Sequence, residues 1–207
     1  MKKILLVGLS LLMACPTFAK IKLPALVGSN MVLQREREVN LWGEASPSKK
    51  VTVTTSWDGR KYTTQSDSDG KWLLKVSTPA AGGPYTIRIS DGDPVTLENV
   101  MIGEVWVCSG QSNMQMSMTG NLGEPVGLIQ TAWGGTRIEA WMPEATAREV
   151  EADIVQTNDR FENPNKVGYL YNAMIRPLLN MTARGFIWYQ GESNVHTNNY
   201  PHYAHYM

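Results

Sequence analysis

Val105-Trp-Val-Cys108-Ser-Gly110-Gln-Ser112-Asn113 is a short apolar run that ends in a glycine-centred polar turn. Two later stretches repeat that form: Val126-Gly-Leu-Ile-Gln-Thr-Ala-Trp-Gly134-Gly135-Thr136 and Gly185-Phe-Ile-Trp-Tyr-Gln-Gly-Glu192-Ser-Asn194. The apolar runs are continuous rather than alternating, the pattern of strands covered on both faces. If the three lie parallel, their turns share the carboxyl edge of one sheet, where open α/β folds assemble their sites. One turn offers a serine hydroxyl, one offers glycine amides and one an asparagine carboxamide. That set matches a nucleophile with donors for an oxyanion.

Upstream the texture is different. Val51-Thr-Val-Thr-Thr55 alternates at period two, Asp58-Gly59 signals a hairpin, and the chain returns from Lys61 to Gln65. After Asp69-Gly70, Trp72, Leu74 and Val76 share one strand face; beyond Gly82-Gly83-Pro84, Tyr85, Ile87 and Ile89 share another. Short strands at this spacing predict a small β-sandwich over residues 20–99, followed by an α/β domain with a parallel sheet over 100–207. In the second part Tyr171, Met174, Ile175, Leu178 and Leu179 keep the spacing of a core-facing helical stripe, which predicts a helix from Tyr169 to Asn180, shortened or kinked by Pro177.

The 207 residues carry 19 basic and 19 acidic side chains, so net charge favours neither nucleic acid nor an anionic membrane. An apolar fraction of 43% with seven Trp is ample for packed cores and excludes an intrinsically disordered chain. Met1-Lys2-Lys3, the apolar run Ile4 to Ala14 and Thr17-Phe18-Ala19 read as a signal peptide over residues 1–19, which predicts a periplasmic or secreted protein. The rival reading takes Leu12-Met13-Ala14-Cys15 as a lipoprotein box with Cys15 lipidated. No later stretch is long and apolar enough for a membrane helix. With Cys15 removed or lipidated, Cys108 stands alone, leaving no internal disulfide and no cysteine-based zinc site. Mid-strand, it reads as a small buried hydrophobe.

Taken together, Val105 to Met114, Trp133-Gly-Gly-Thr136 with Glu139-Ala-Trp141, and Trp188-Tyr-Gln-Gly-Glu-Ser-Asn194 resemble the bacterial sialate O-acetylesterases, members of the SGNH hydrolases. Leu170-Tyr-Asn-Ala-Met-Ile-Arg-Pro177, Met31-Val-Leu-Gln34 and Asp69-Gly-Lys-Trp72 carry the same likeness. The resemblance implies a flavodoxin-like SGNH domain behind the sandwich, and a serine esterase that removes O-acetyl groups from sialic acids or related glycans, with no metal or cofactor. It makes Ser112 the nucleophile. The oxyanion donors it implies are the Ser112 amide, the amides of Gly134 or Gly135, and the Asn194 side chain, with Gln111 and Glu192 in support. The three turns fix the reaction and not the sugar, so an acetyl xylan esterase-like deacetylase is the neighbouring reading.

Two departures from the family pattern stand out. The family draws its general base from an Asp-x-x-His segment, for which this sequence has no counterpart; His196, His202 and His205 crowd behind the third motif, and only His196 comes near it. The family also carries a long insertion between the first two turns, where Met114 to Pro125 here is close to the minimum for a parallel crossover. Both suggest a chain internally deleted and truncated, and they sustain a rival reading: an inactive remnant whose β-module binds carbohydrate. Among the other residues, Arg137 reads as a surface partner of Glu139, or alternatively as a clamp for a substrate carboxylate. Trp133, Trp141 and Trp188 read as core before sugar platforms.

Overall fold

A computed structural model describes residues 21–115, 123–150, 164–196 and 203–207. The signal-peptide reading and Cys15 lie outside these residues, as does His202; nothing is described of the His196 side chain. Nine strands form in chain order: β1 Val32–Gln34, β2 Glu38–Glu44, β3 Lys50–Thr55, β4 Lys61–Gln65, β5 Lys71–Ser77, β6 Gly82–Ser90, β7 Pro94–Gly110, β8 Val126–Ala132 and β9 Gly185–Tyr189. Three short helices follow the second half: α1 Glu144–Glu149, α2 Glu192–His196 and α3 Tyr203–Tyr206.

Period-two alternation does what it should in the first half. Val51 and Val53 of β3 and Ile87 and Ile89 of β6 are fully buried, while the threonines and charged residues between them face outward. Strands β1-β7-β6-β3-β4 form one sheet, and the antiparallel pair β2-β5 packs its Val39, Leu41, Trp72 and Val76 against it. The sandwich core is a single apolar cluster.

No break in the backbone marks the domain boundary expected near Asn99. Strand β7 is continuous for 17 residues, and what changes along it is its partner. Its first part pairs antiparallel with β6 up to Ile102; from Glu104 it pairs parallel with β8, and from Trp106 with β9 as well. One strand is therefore the spine of both halves. Gly103 sits at the change of partner, where any Cβ would collide with the carbonyl of Pro125.

Charge and amide chemistry lock the same place. Gln34 is buried; its Oε1 accepts the Val105 N–H at 3.0 Å and its Nε2 donates to Glu104 at 3.1 Å. Arg35 pairs with Glu104 at 2.8 Å and with Glu124 at 2.9 Å. The Gln34 hydrogen bond, with Arg35 and Arg184 behind it, holds the Glu104 carboxyl below its ordinary range against the opposing effect of burial. A carboxyl depressed on folding binds fewer protons in the native state than in the unfolded one, so its contribution is complete above the unfolded value and disappears as pH falls through the native value. Glu104→Gln is therefore expected to flatten the acid limb of a urea-midpoint against pH curve below about pH 5, while leaving its slope near neutrality unchanged.

Two expectations for the second half need correction. The helix predicted from Tyr169 to Asn180 forms, but as a π-helix over Tyr171–Ile175 closed by a 3-10 turn over Arg176–Leu178, with the Arg176 N–H reaching back to the Tyr171 carbonyl. Pro177 cannot donate to an α ladder, and the wider winding rotates the buried face. Leu170 becomes fully buried while Leu179, assigned to the core stripe, is 65% exposed. The second correction concerns the sheet. Leu128, Phe186, Ile187 and Tyr189 are exposed, Phe186 at 61%, so β8 and β9 are not covered on both faces. Cys108, between them on β7, is half-buried rather than buried.

Candidate active site

The parallel register brings the three turns together. Gly110, the last residue of β7, is paired with Ala132 at the end of β8 and with Tyr189 at the end of β9. Backbone bonds continue the junction beyond the strands: Trp133 N–H donates to the Gly110 carbonyl at 3.0 Å, and Gln111 N–H donates to the Tyr189 carbonyl at 3.0 Å. Gly110 has φ 137°, a value that favours glycine, and a Cβ there would run into the Tyr189 carbonyl. Packing this tight leaves the first turn one path. That path carries Ser112 out to an exposed position at the start of a 3-10 turn, Ser112–Gln115.

Around Ser112 the donors differ in how free they are. The N–H groups of Ser112, Gly134 and Gly135 make no hydrogen bond to the described residues. Gly135 adopts φ 73°, and its carbonyl is held by Asn165 Nδ2 at 3.4 Å, which orients the peptide of the second turn. Trp133, just before the glycines, is 48% exposed and so is not core as expected. Trp141 is buried and stacks edge-on against half-buried Trp188 at 5.8 Å, as the packing reading required. Gln111 is buried, and its Oε1 accepts the Gly191 N–H at 3.4 Å, tying the first turn to the third.

Asn194 is engaged in a buried network of its own. It is fully buried, and its Nδ2 donates to Glu139 Oε2 at 3.0 Å. Its Oδ1 accepts from the Ile138 N–H at 3.0 Å and from Gln190 Nε2 at 2.8 Å. The carboxamide is thus a buried clasp between the third turn and the 3-10 segment Ile138–Trp141, giving one of its two Nδ2 hydrogens to Glu139. Glu192 lies on a different side of the same short helix. On α2 the two positions are about 200° apart around the axis, and Glu192 is exposed while Asn194 is buried.

The group that holds Asn194 is Glu139, itself fully buried. That overturns the pairing expected for Arg137, which is only 7% exposed and forms no ion pair with Glu139. Gln190 and Thr136 complete the clasp. Gln190 Nε2 also donates to the Thr136 carbonyl at 2.9 Å, and the Thr136 hydroxyl donates to the Trp133 carbonyl at 2.7 Å while accepting from Trp141 Nε1 at 3.0 Å. Both Glu139 and Gln190 lie inside the quoted motifs, yet a buried carboxylate on an apolar segment gives no periodic signal of its own. Tyr203 of α3 braces the third turn by donating to the Gln190 carbonyl at 2.9 Å, and burial pushes its phenol pKa up.

No histidine is seen bonded to Ser112; His205 is exposed on α3, and the His196 side chain and all of His202 lie outside the description. Among the described residues no three His, Cys, Asp or Glu side chains stand close enough to hold a metal ion, and no helix is long and apolar enough to cross a membrane.

Comparison with known proteins places this geometry. Residues 115–207, beginning just beyond Ser112, match the family model for "carbohydrate esterase, sialic acid-specific acetylesterase". A solved carbohydrate acetylesterase from Xanthomonas citri superposes with a TM-score of 0.69 at 28% identity, covering 84% of this chain and 52% of that one. In fold and sequence the chain is thus similar to the carbohydrate esterases, and its second half is an SGNH-like α/β unit. Within that class its likeness is to the sialate O-acetylesterases: the Homo sapiens enzyme is 28% identical over 257 residues, covering 83% of this chain and 49% of its own length. The Mus musculus enzyme is 25% identical, covering 83% and 52%.

The chain therefore spans about half the length of these relatives. The human match also runs over more positions than the 207 residues of the chain, so the relative holds residues inside the matched stretch that have no counterpart here.

Proposed function

We propose that this chain carries the nucleophile half of a serine esterase site that removes acetyl groups from O-acetylated sialic acids or related glycans. Ser112 Oγ attacks the acetyl carbonyl carbon as its proton passes to a base, and the carbonyl oxygen becomes an anion stabilised by the amides of Ser112 and of Gly134 or Gly135. Collapse breaks the ester C–O bond, the sugar oxygen takes a proton back and leaves as a hydroxyl, and acetyl-Ser112 remains; water, losing a proton in turn, attacks the acyl group and releases acetate, the serine oxygen being reprotonated. The reading rests above all on one observation, the convergence of the three turns on Gly110, which puts an exposed serine hydroxyl on the same sheet edge as glycine amides that bond none of the described residues. Preorganised amides of this kind typically contribute about 3–4 kcal/mol each to the transition state. Asn194 acts here as the clasp that sets the geometry of the third turn. The amino-terminal pattern of residues 1–19 supports export, with the sialic acid or glycan met outside the cytoplasm.

Acyl trapping tests the proposal. After exposure to 4-nitrophenyl acetate in imidazole buffer and acid quenching, peptide mass spectrometry is expected to find the acetyl group on the peptide that contains Ser112. Acetylation confined to surface lysines would remove the assignment. Parallel arms with O-acetylated sialic acid and acetylated xylan report which sugar is the substrate.

A further inference from the structure

A groove of about 710 Å³ crosses the β2-β5 pair of the sandwich and shares no residue with the three turns. Its floor follows from the register. Trp42 lies opposite Leu73 and Glu44 opposite Lys71, so all four side chains fall on the same face of the pair. Leu73 is exposed despite its apolar character. Glu44 and Lys71 oppose each other with unlike charge, yet no ion pair joins them and neither side chain has another partner among the described residues.

The walls add unspent polar groups. Trp72, on the core-facing side of the pair by the same register, reaches the edge of the groove; it is 4% exposed, and its indole N–H has no acceptor among the described residues. Asn180 enters from the other half of the chain, its carbonyl held by Asn40 Nδ2 at 2.9 Å, and Asn40 Oδ1 is itself buried without a donor among the described residues. An orphaned buried polar atom is costly, and here the orphans gather in and beside one concavity whose size suits a small ligand.

We infer that this groove is a second carbohydrate site, holding a sugar ring of a glycan. A pyranose has an apolar C–H face and a rim of hydroxyls that both donate and accept. Trp42 and Leu73 match the face. Glu44, Lys71 and the Asn180 amide match the rim, accepting and donating in turn. A lipid chain would leave the charged pair unsolvated without compensation. A polyanion would meet Glu44 and Asp67, both lining the groove. The site needs no chemistry at Ser112, so it stands whether or not the esterase proposal does.

Calorimetric titration of the full chain with sialyllactose, lactose and xylobiose tests the site. Saturable binding of at least one of them is expected, weakened about tenfold or more by Trp42→Ala, partly recovered in Trp42→Phe, and unchanged in Ser112→Ala. Leu73→Asp, at an exposed position where folding is not at stake, should weaken it likewise. Acetyl release from 4-nitrophenyl acetate, which bears no sugar, should be the same in Trp42→Ala as in the parent. No saturable binding of any of the three sugars overturns the inference, and so does binding indifferent to both Trp42→Ala and Leu73→Asp.

Discussion

With imidazole supplied in solution, acetyl release from 4-nitrophenyl acetate by the parent chain is expected to rise about a hundredfold above that of Ser112→Ala at the same imidazole concentration. The described residues show Ser112 exposed on the sheet edge where the three turns meet, with no histidine bonded to its hydroxyl. A neutral serine hydroxyl is a weak nucleophile, and general-base assistance is worth about 10² to 10⁴-fold. A free base recovers the low end of that range because it is not held in place. Without a base the serine contributes little. Members of a catalytic set act as a unit, and losing one leaves what the oxyanion donors and binding supply, about 10³ to 10⁴-fold over water. Parent and Ser112→Ala should therefore lie close together in imidazole-free buffer and separate when it is added. A Ser112-dependent rate present before imidazole is added would assign the base to His196 or His202. Equal rates in both conditions would overturn the esterase proposal.

What the sequence disclosed and what it concealed divide by physical cause. Strands and turns were legible because they write a local pattern: Val51 and Val53 alternate, Asp58-Gly59 and Asp69-Gly70 turn, and Gly110 must take a conformation few other residues tolerate. The juxtaposition of the three motifs was legible too, since parallel strands put their carboxyl ends on one edge. The direction of the Asn194 side chain was not. It depends on Glu139, 55 positions away, and a fully buried carboxylate leaves no trace in periodicity. Leu179 failed for another reason: the spacing that assigned it to the core assumes 3.6 residues per turn, and the π winding before Pro177 breaks that phase. The exposure of Phe186 and Leu128 follows from what stands next to the sheet, which a strand's own residues do not encode. The same distinction separates the two candidate sites. The turns announced themselves as motifs, whereas the groove at Trp42 arises from cross-strand register and became visible only once β2 and β5 were paired.

Asn194→Ala is expected to lower stability by about 3 kcal/mol, or roughly 6–12 °C in melting temperature for a chain of this size. The substitution strips a donor from a fully buried carboxylate and, at the same stroke, takes away the acceptor used by the Ile138 N–H and by Gln190 Nε2. Losing a donor to a buried charge is the dearest of these, because the carboxylate keeps its desolvation cost while losing part of its compensation. Glu139→Gln should be milder, about 1 kcal/mol, since its carbonyl still accepts from Asn194 and the buried charge is gone. In the double variant the two effects should fall short of their sum, a coupling of about 1–3 kcal/mol that marks direct contact. Differential scanning calorimetry on the four proteins measures it. Activity separates this clasp from the alternative role. A clasp predicts that stability and the imidazole-dependent rate decline together, and that lowering the temperature recovers part of the rate as the turn re-forms. Should Asn194→Ala melt within about 2 °C of the parent and yet lose the Ser112-dependent rate at every temperature, its carboxamide would have to reach the oxyanion, and the buried clasp described here would not be its working role.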